Sequence, residues 1–140
     1  MDLQTAERAL LAQSCVNDLN AIVAWAGITL GAVSGAVVGL HFANEEWMGG
    51  YSSWPRRMVR LGHIAFFGVG FLNLGYAMTV GPLHWRGTVA MSVSLALANG
   101  IMPAVCFLAA WRKPFRVLFF IPVLLILFPS ARLLWMKVFP

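Results

Sequence analysis

Four long apolar runs, separated by short polar connectors, dominate the pattern of the chain. They cover residues 21–42, 57–80, 88–110 and 117–138. Each run is about 20 residues long, the length at which an α-helix crosses the hydrocarbon core of a bilayer. The first and third runs contain no Asp, Glu, Lys or Arg. The pattern predicts an all-α integral membrane protein with four transmembrane helices in an up-down bundle with short connectors.

Residues 1–20 are more polar than the runs that follow. Apolar residues recur there at helical spacing, which is typical of an interfacial helix lying on the membrane surface. A loosely ordered tail is the alternative interpretation. We expect Asp18 or Asn20 to cap the first span by accepting from its free backbone amides. Residues 21–140 are then predicted to form a single transmembrane domain.

The last run is the least regular, because Pro122, Pro129 and Arg132 interrupt it. Proline removes a helical hydrogen bond, so the run is either one kinked helix or a shorter helix followed by an interfacial piece. A long Arg side chain near a helix end can extend to the headgroups. Four crossings are therefore retained in the prediction.

Composition supports a membrane protein over a soluble one. Hydrophobic residues make up 60% of the chain and charged residues 11%, whereas soluble domains contain about 25% charged residues. The net charge of +5 would suggest nucleic acid in a soluble protein, but here the basic residues flank the apolar runs. We predict the lipid bilayer and other membrane protein subunits as partners, and no nucleic acid.

The distribution of Lys and Arg along the chain predicts the orientation of the protein in the membrane. Six lie in or beside the first and third connectors: Arg56, Arg57, Arg60, Arg112, Lys113 and Arg116. Four lie on the opposite side: Arg8, Arg86, Arg132 and Lys137. Basic residues are retained on the cytoplasmic side of a membrane. Both termini are thus predicted to face outward, into the periplasm if the membrane is a bacterial inner membrane.

The most specific pattern is a glycine zipper on the first predicted helix. Glycine recurs every four residues, at Gly27, Gly31, Gly35 and Gly39. The third predicted helix has a matching stripe of small residues, Ala90, Ser94 and Ala98. Small residues let helices approach closely in lipid, where van der Waals packing holds them together. We predict helix packing within the chain at these positions; a partner chain or a flat cofactor is the alternative.

Two histidines suggest a cofactor hypothesis. His41 ends the first helix and His63 lies about two turns into the second, so both fall toward one end of the predicted bundle. Imidazoles from two helices can hold haem iron, which makes haem b bound by His41 and His63 the candidate cofactor. Against it, His41 lies about 200° around the helix from Gly39 and points away from the zipper. We predict no metal site, because the residues for a dinuclear centre are missing.

Arg56, Arg60 and His63 follow i, i+4, i+7 spacing and line one stripe of the second helix. Glu45 and Glu46 lie in the connector just before it. The stripe is a candidate docking place for an anionic headgroup or a partner. The competing interpretation is that these basic residues meet lipid phosphates and set the topology.

The function predicted from these patterns is structural. No Ser-His-Asp order, paired carboxylates, phosphate loop or Cys-x-x-Cys is present, so we predict no autonomous enzyme. The sequence best fits a non-catalytic polytopic subunit or anchor of a larger membrane complex, most readily a respiratory or photosynthetic electron-transfer complex. A small b-type cytochrome is one alternative. A small channel or carrier is the other, because Asn73 and Asn99 lie near mid-membrane.

Overall fold

The computed structural model describes the backbone of residues 3–80 and 88–139, with all of their side chains except those of residues 3, 5–7, 9, 10 and 12–17. Every regular element in these two ranges is helical. The α-helices are α1 Leu3–His41, α2 Trp54–Val80, α3 Thr88–Trp111 and α4 Phe120–Val138. Two 3₁₀ helices, Trp47–Gly49 and Lys113–Phe119, lie in the connectors before α2 and α4.

Four helical segments are long and apolar enough to cross a membrane: Asp18–His41, Trp54–Val80, Thr88–Trp111 and Lys113–Val138. They coincide with the four apolar runs, so the prediction of an all-helical chain with four membrane-length helices is confirmed. The connector between α2 and α3, with Arg86 from the orientation count, lies outside the described residues.

The N-terminal part of α1 is continuous with the first apolar run. The backbone is helical without a break from Leu3 to His41, and residues 3–17 precede the membrane-length segment Asp18–His41. This segment contains no Gly or Pro that would end a helix. Asn20 therefore lies inside α1 and not at its cap, and its side chain is fully buried.

The connector from α1 to α2 is a compact turn. Met48, Gly49 and Gly50 have φ of 56°, 85° and 90°, the left-handed region that favours glycine. Ser53 then caps α2: its hydroxyl accepts from the Arg56 amide at 3.4 Å and its carbonyl from the Arg57 amide at 3.1 Å. The chain thus reverses direction within about a dozen residues.

α1, α2 and α3 pack against one another, and α4 packs on α3. The contacts between α1 and α2 run in opposite directions along the two helices: Asn20 meets Asn73, and Gly35 meets His63. Near the C-terminus of α4, Met136 joins an apolar cluster with residues of α2 and α3. Most of α4 is exposed on the outside of this three-helix core.

α4 continues through Pro129 to Val138, which decides between the two interpretations of the last run in favour of one helix. Because Pro129 has no N–H, the Leu125 carbonyl four residues earlier loses its helical donor. The Ser94 hydroxyl of α3 donates to this carbonyl at 2.9 Å. The proline is therefore compensated by a hydrogen bond that also attaches α4 to α3.

Candidate functional site

Three buried polar side chains form a hydrogen-bonded network where α1, α2 and α3 meet. Asn20, Asn73 and Ser92, one from each helix, are fully buried. The Asn20 amide donates to Asn73 Oδ1 at 2.7 Å and to the Ser92 carbonyl at 3.2 Å. The Ser92 hydroxyl donates back to Asn20 Oδ1. The network therefore joins three helices at one level.

Both amides of this network are satisfied. Asn73 Nδ2 donates to the Val69 carbonyl at 2.9 Å and to the Leu95 carbonyl at 3.1 Å. An unsatisfied polar group in a lipid-surrounded interior costs several kcal/mol, so this arrangement stabilises the packing. Both N–H donors of the Asn73 side chain are therefore used within the bundle.

The hydropathy pattern places Asn73 near mid-membrane but does not identify the network that it forms with Asn20 and Ser92. A signal was present in the spacing: Asn20 lies seven and eleven residues before Gly27 and Gly31, which places all three on one helical face. A polar residue in line with a glycine zipper is a candidate for the same helix interface.

The glycine zipper is covered by side chains of this chain at three of its four positions. A Cβ on Gly27 would lie 2.7 Å from the Asn99 amide, and one on Gly31 would lie 2.8 Å from the Phe67 ring. A Cβ on Gly35 would overlap the His63 ring. These three positions allow close helix packing, as expected.

Gly39 and the stripe on α3 require a correction. A Cβ on Gly39 would meet nothing within 4 Å in the described part of the chain, so this position is open. Ala90 is exposed, and Ser94 is directed to the Leu125 carbonyl of α4. Ala98 is fully buried. The α3 stripe is therefore not one surface for α1.

Asn99 sits flat on Gly27 and is nearly buried. Its Nδ2 donates to the Val23 carbonyl of α1 at 3.2 Å, whereas Oδ1 has no hydrogen-bond partner within the described part of the chain. Pro103 also removes the amide that would bond the Asn99 carbonyl. The α1–α3 contact thus retains one unpaired amide oxygen.

His63 is held by α1 through its Nδ1 atom. The Ser34 hydroxyl lies 3.3 Å from His63 Nδ1 and donates to the Gly31 carbonyl at 3.1 Å. A serine hydroxyl has one proton and a carbonyl can only accept, so the arrangement favours Nδ1–H on His63 and a lone pair on Nε2. The half-buried ring also makes an edge contact with Phe67.

His41 occupies different surroundings. Its Nδ1 lies 2.8 Å from the Val37 carbonyl, and its ring stacks on Trp47 with the centroids 5.0 Å apart. His63 meets α1 at Gly35, six residues before His41, which corresponds to about 9 Å of helical rise. The structure thus places the two histidines in separate environments, one exposed beside the connector and one between α1 and α2.

Arg56 is 2% exposed and lies under the connector between α1 and α2. Its guanidinium donates at 3.0–3.5 Å to three backbone carbonyls, those of Phe42, Asn44 and Glu45. Three aromatic rings surround it with centroids at 5.1–5.7 Å, those of Phe42, Trp47 and Tyr51. Such carbonyl and cation–π contacts stabilise the turn.

The basic residues of the predicted docking stripe therefore lie in different surroundings. Arg56 is enclosed by the connector and does not face a headgroup, because its guanidinium already bonds backbone carbonyls. Arg60 lies over the Tyr51 ring at 4.3 Å and donates to the Tyr51 carbonyl at 3.4 Å. Glu45 and Glu46 are exposed, and Glu45 bonds Arg56 through its backbone carbonyl.

Among the described residues, no three His, Cys, Asp or Glu side chains come together in a way that could hold a metal ion. Within the described helices, the buried or half-buried groups that can bond a ligand or a partner include amides, hydroxyls, the imidazole of His63 and the thiol of Cys106. No protein-family model, curated protein or solved structure matches the chain.

Proposed function

We propose that this chain is a non-catalytic polytopic subunit or anchor of a larger membrane complex, of the electron-transfer class. The observation that supports the proposal is the unequal burial of the membrane-length helices. In the most apolar stretch of α3, 39% of residues are buried within the chain, against 11% in the segment that contains α4. A helix attached along one edge presents most of its surface to lipid or to another chain.

The proposal also specifies how the four helices and the two termini are oriented in the membrane. The four helices cross the bilayer in an up-down order, and both termini lie on the outer side of a bacterial inner membrane. The excess of Lys and Arg in the first and third connectors supports this orientation.

Site-specific photocrosslinking in native membranes tests the proposal. A photoreactive residue at Leu127 of α4, which is 56% exposed, should give an adduct of one defined mass. The same residue at Leu95 of α3, which is 3% exposed, is the matched control and should give none. Native mass measurement after gentle extraction should then find the same companion chain in fixed stoichiometry, together with a redox cofactor. A stable monomer without companions would contradict the proposal.

A second candidate, a b-type cytochrome, is favoured by the setting of His63. A ligating histidine is oriented by a hydrogen bond to its other ring nitrogen, and Ser34 is placed to supply that bond. Among the described residues, His63 Nε2 has no hydrogen-bond partner.

The visible spectrum of the purified protein tests this second candidate. A Soret band should be present and should be lost in His63→Ala. His41→Ala tests whether His41 is the second ligand, since its replacement should then change the low-spin spectrum. A protein without a Soret band, or a band unchanged in His63→Ala, would exclude the cytochrome.

A further inference from the structure

A groove of about 550 Å³ opens on the side of the bundle where α2 begins and α3 ends. All six lining side chains are apolar: Met48, Pro55, Val59, Phe107, Ala110 and Trp111. Met48 comes from the connector, and the others come from the first turns of α2 and the last turns of α3. The lining of the groove therefore favours a hydrocarbon chain, because it offers a soluble ligand no polar side chain to bond.

The groove lies at the edge of the membrane-length segments, since α2 begins at Trp54 and α3 ends at Trp111. Tryptophan is enriched at this level of a bilayer, where its ring meets the headgroups. The Trp54 indole donates to the Ala109 carbonyl at 2.8 Å, one of the last four carbonyls of α3, which lack helical donors. This hydrogen bond bridges the two helices beside the groove.

Positive charge lies at the rim of the groove. The guanidinium of Arg112 lies over the Trp111 ring, 5.1 Å from its centroid, and Trp111 itself lines the groove. Arg112 and the following Lys113 are exposed. Unlike Arg56, whose guanidinium is enclosed by carbonyls, Arg112 is therefore accessible to an anion at the headgroup level.

We propose that this groove binds an anionic phospholipid, with its phosphodiester at Arg112 and an acyl chain along Phe107 and Ala110. An apolar groove alone would accept the chain of any lipid, and an exposed arginine alone would accept any anion. The juxtaposition selects a phospholipid, and the two adjacent exposed cations, Arg112 and Lys113, favour one with a net negative charge over a zwitterionic one. Basic pockets between transmembrane helices bind acidic headgroups by the same combination.

Native mass spectrometry of the detergent-solubilised chain tests this proposal, by titration with phosphatidylglycerol or phosphatidylcholine of identical acyl chains. The native chain should retain phosphatidylglycerol in preference. Arg112→Gln should weaken phosphatidylglycerol retention about fivefold, the effect of one basic residue near an anionic surface. Lys137→Gln removes the same charge from the far end of α4 and should change nothing. Ala110→Trp, which fills the groove, should lower retention of both lipids.

Arg112 and Lys137 are both exposed, so neither substitution removes a buried side chain. Equal retention of the two lipids by the native chain would overturn the proposal, as would equal effects of Arg112→Gln and Lys137→Gln. If Ala110→Trp leaves lipid retention intact but displaces a companion chain, the groove belongs to a protein partner and the lipid proposal is wrong.

Discussion

Several buried polar side chains, among them Asn20, Asn73 and Ser94, bond partners on other helices. Ser94 and Pro129 show how such a pair arises. Proline removes one backbone donor from α4, and a hydroxyl of α3 donates to the released Leu125 carbonyl at 2.9 Å. Polar residues in the apolar spans therefore serve to satisfy particular backbone groups.

Replacement of Ser94 by alanine should lower the free energy of unfolding by about 0.6–1.7 kcal/mol, the range for interhelical hydrogen bonds in membranes. The reason is that the Leu125 carbonyl loses its donor. Unfolding in mixed micelles by titration with a denaturing detergent measures this change. Ser130→Ala is the matched control, because the Ser130 hydroxyl is exposed and bonds the Ile126 carbonyl of its own helix.

A double mutant isolates the cause. Pro129→Ala restores an amide at position 129 that can bond the Leu125 carbonyl, so Ser94→Ala should cost less in that background. The same cost in both backgrounds would show that the hydroxyl acts in some other way.

Helix contacts in this chain depend on where small residues meet large ones. Gly27 receives the Asn99 amide and Gly31 receives the Phe67 ring, whereas Gly39 lies beyond the contact. The regular four-residue spacing therefore contains glycines that are packed against another helix and a glycine, Gly39, that is open.

Gly27→Ala should destabilise the fold by about 1–3 kcal/mol, the usual cost of overpacking. The added methyl group would lie 2.7 Å from the Asn99 amide, which cannot move without losing its bond to the Val23 carbonyl. Gly39→Ala should instead stabilise the helix by up to about 1 kcal/mol, because alanine is the better helix former and the site is open. Thermal unfolding in detergent compares the two; equal losses would contradict this account.

Over the whole molecule, basic residues concentrate at one end of the proposed bundle. Arg56 is enclosed under the first connector, but Arg57, Arg112, Lys113 and Arg116 are exposed. Because a positive-inside bias acts on whole loops, this distribution bears on the orientation of all four helices together.

Cysteine accessibility should reveal this orientation. In a background with Cys15 and Cys106 replaced by alanine, a single cysteine at Val138 should react with an impermeant maleimide on intact cells. A cysteine at Ser52, in the first connector, should react only after the cells are opened. The reversed pattern would overturn the orientation, and labelling of both positions on intact cells would contradict an odd number of crossings between them.

Hydropathy alone predicts the number and approximate positions of the membrane-length helices, but not that α1 extends back to Leu3. Hydropathy and length are local properties, and in lipid an apolar segment must satisfy its backbone within its own helix. The zipper spacing predicts Gly27, Gly31, Gly35 and Gly39 as contact positions, because small residues on one face are needed for close approach. A Cβ on Gly39 would nevertheless meet nothing within 4 Å in the described ranges.

The faces at which the helices meet follow from their packing in three dimensions. This packing joined Asn20 to Asn73 and Ser92, and it directed Ser94 to α4. It also enclosed Arg56 beneath the connector while Arg112 stayed exposed. These outcomes depend on how each helix is rotated about its axis relative to its neighbours. That rotation is set by packing and by hydrogen-bond partners up to 76 residues away in the chain, which no local pattern specifies.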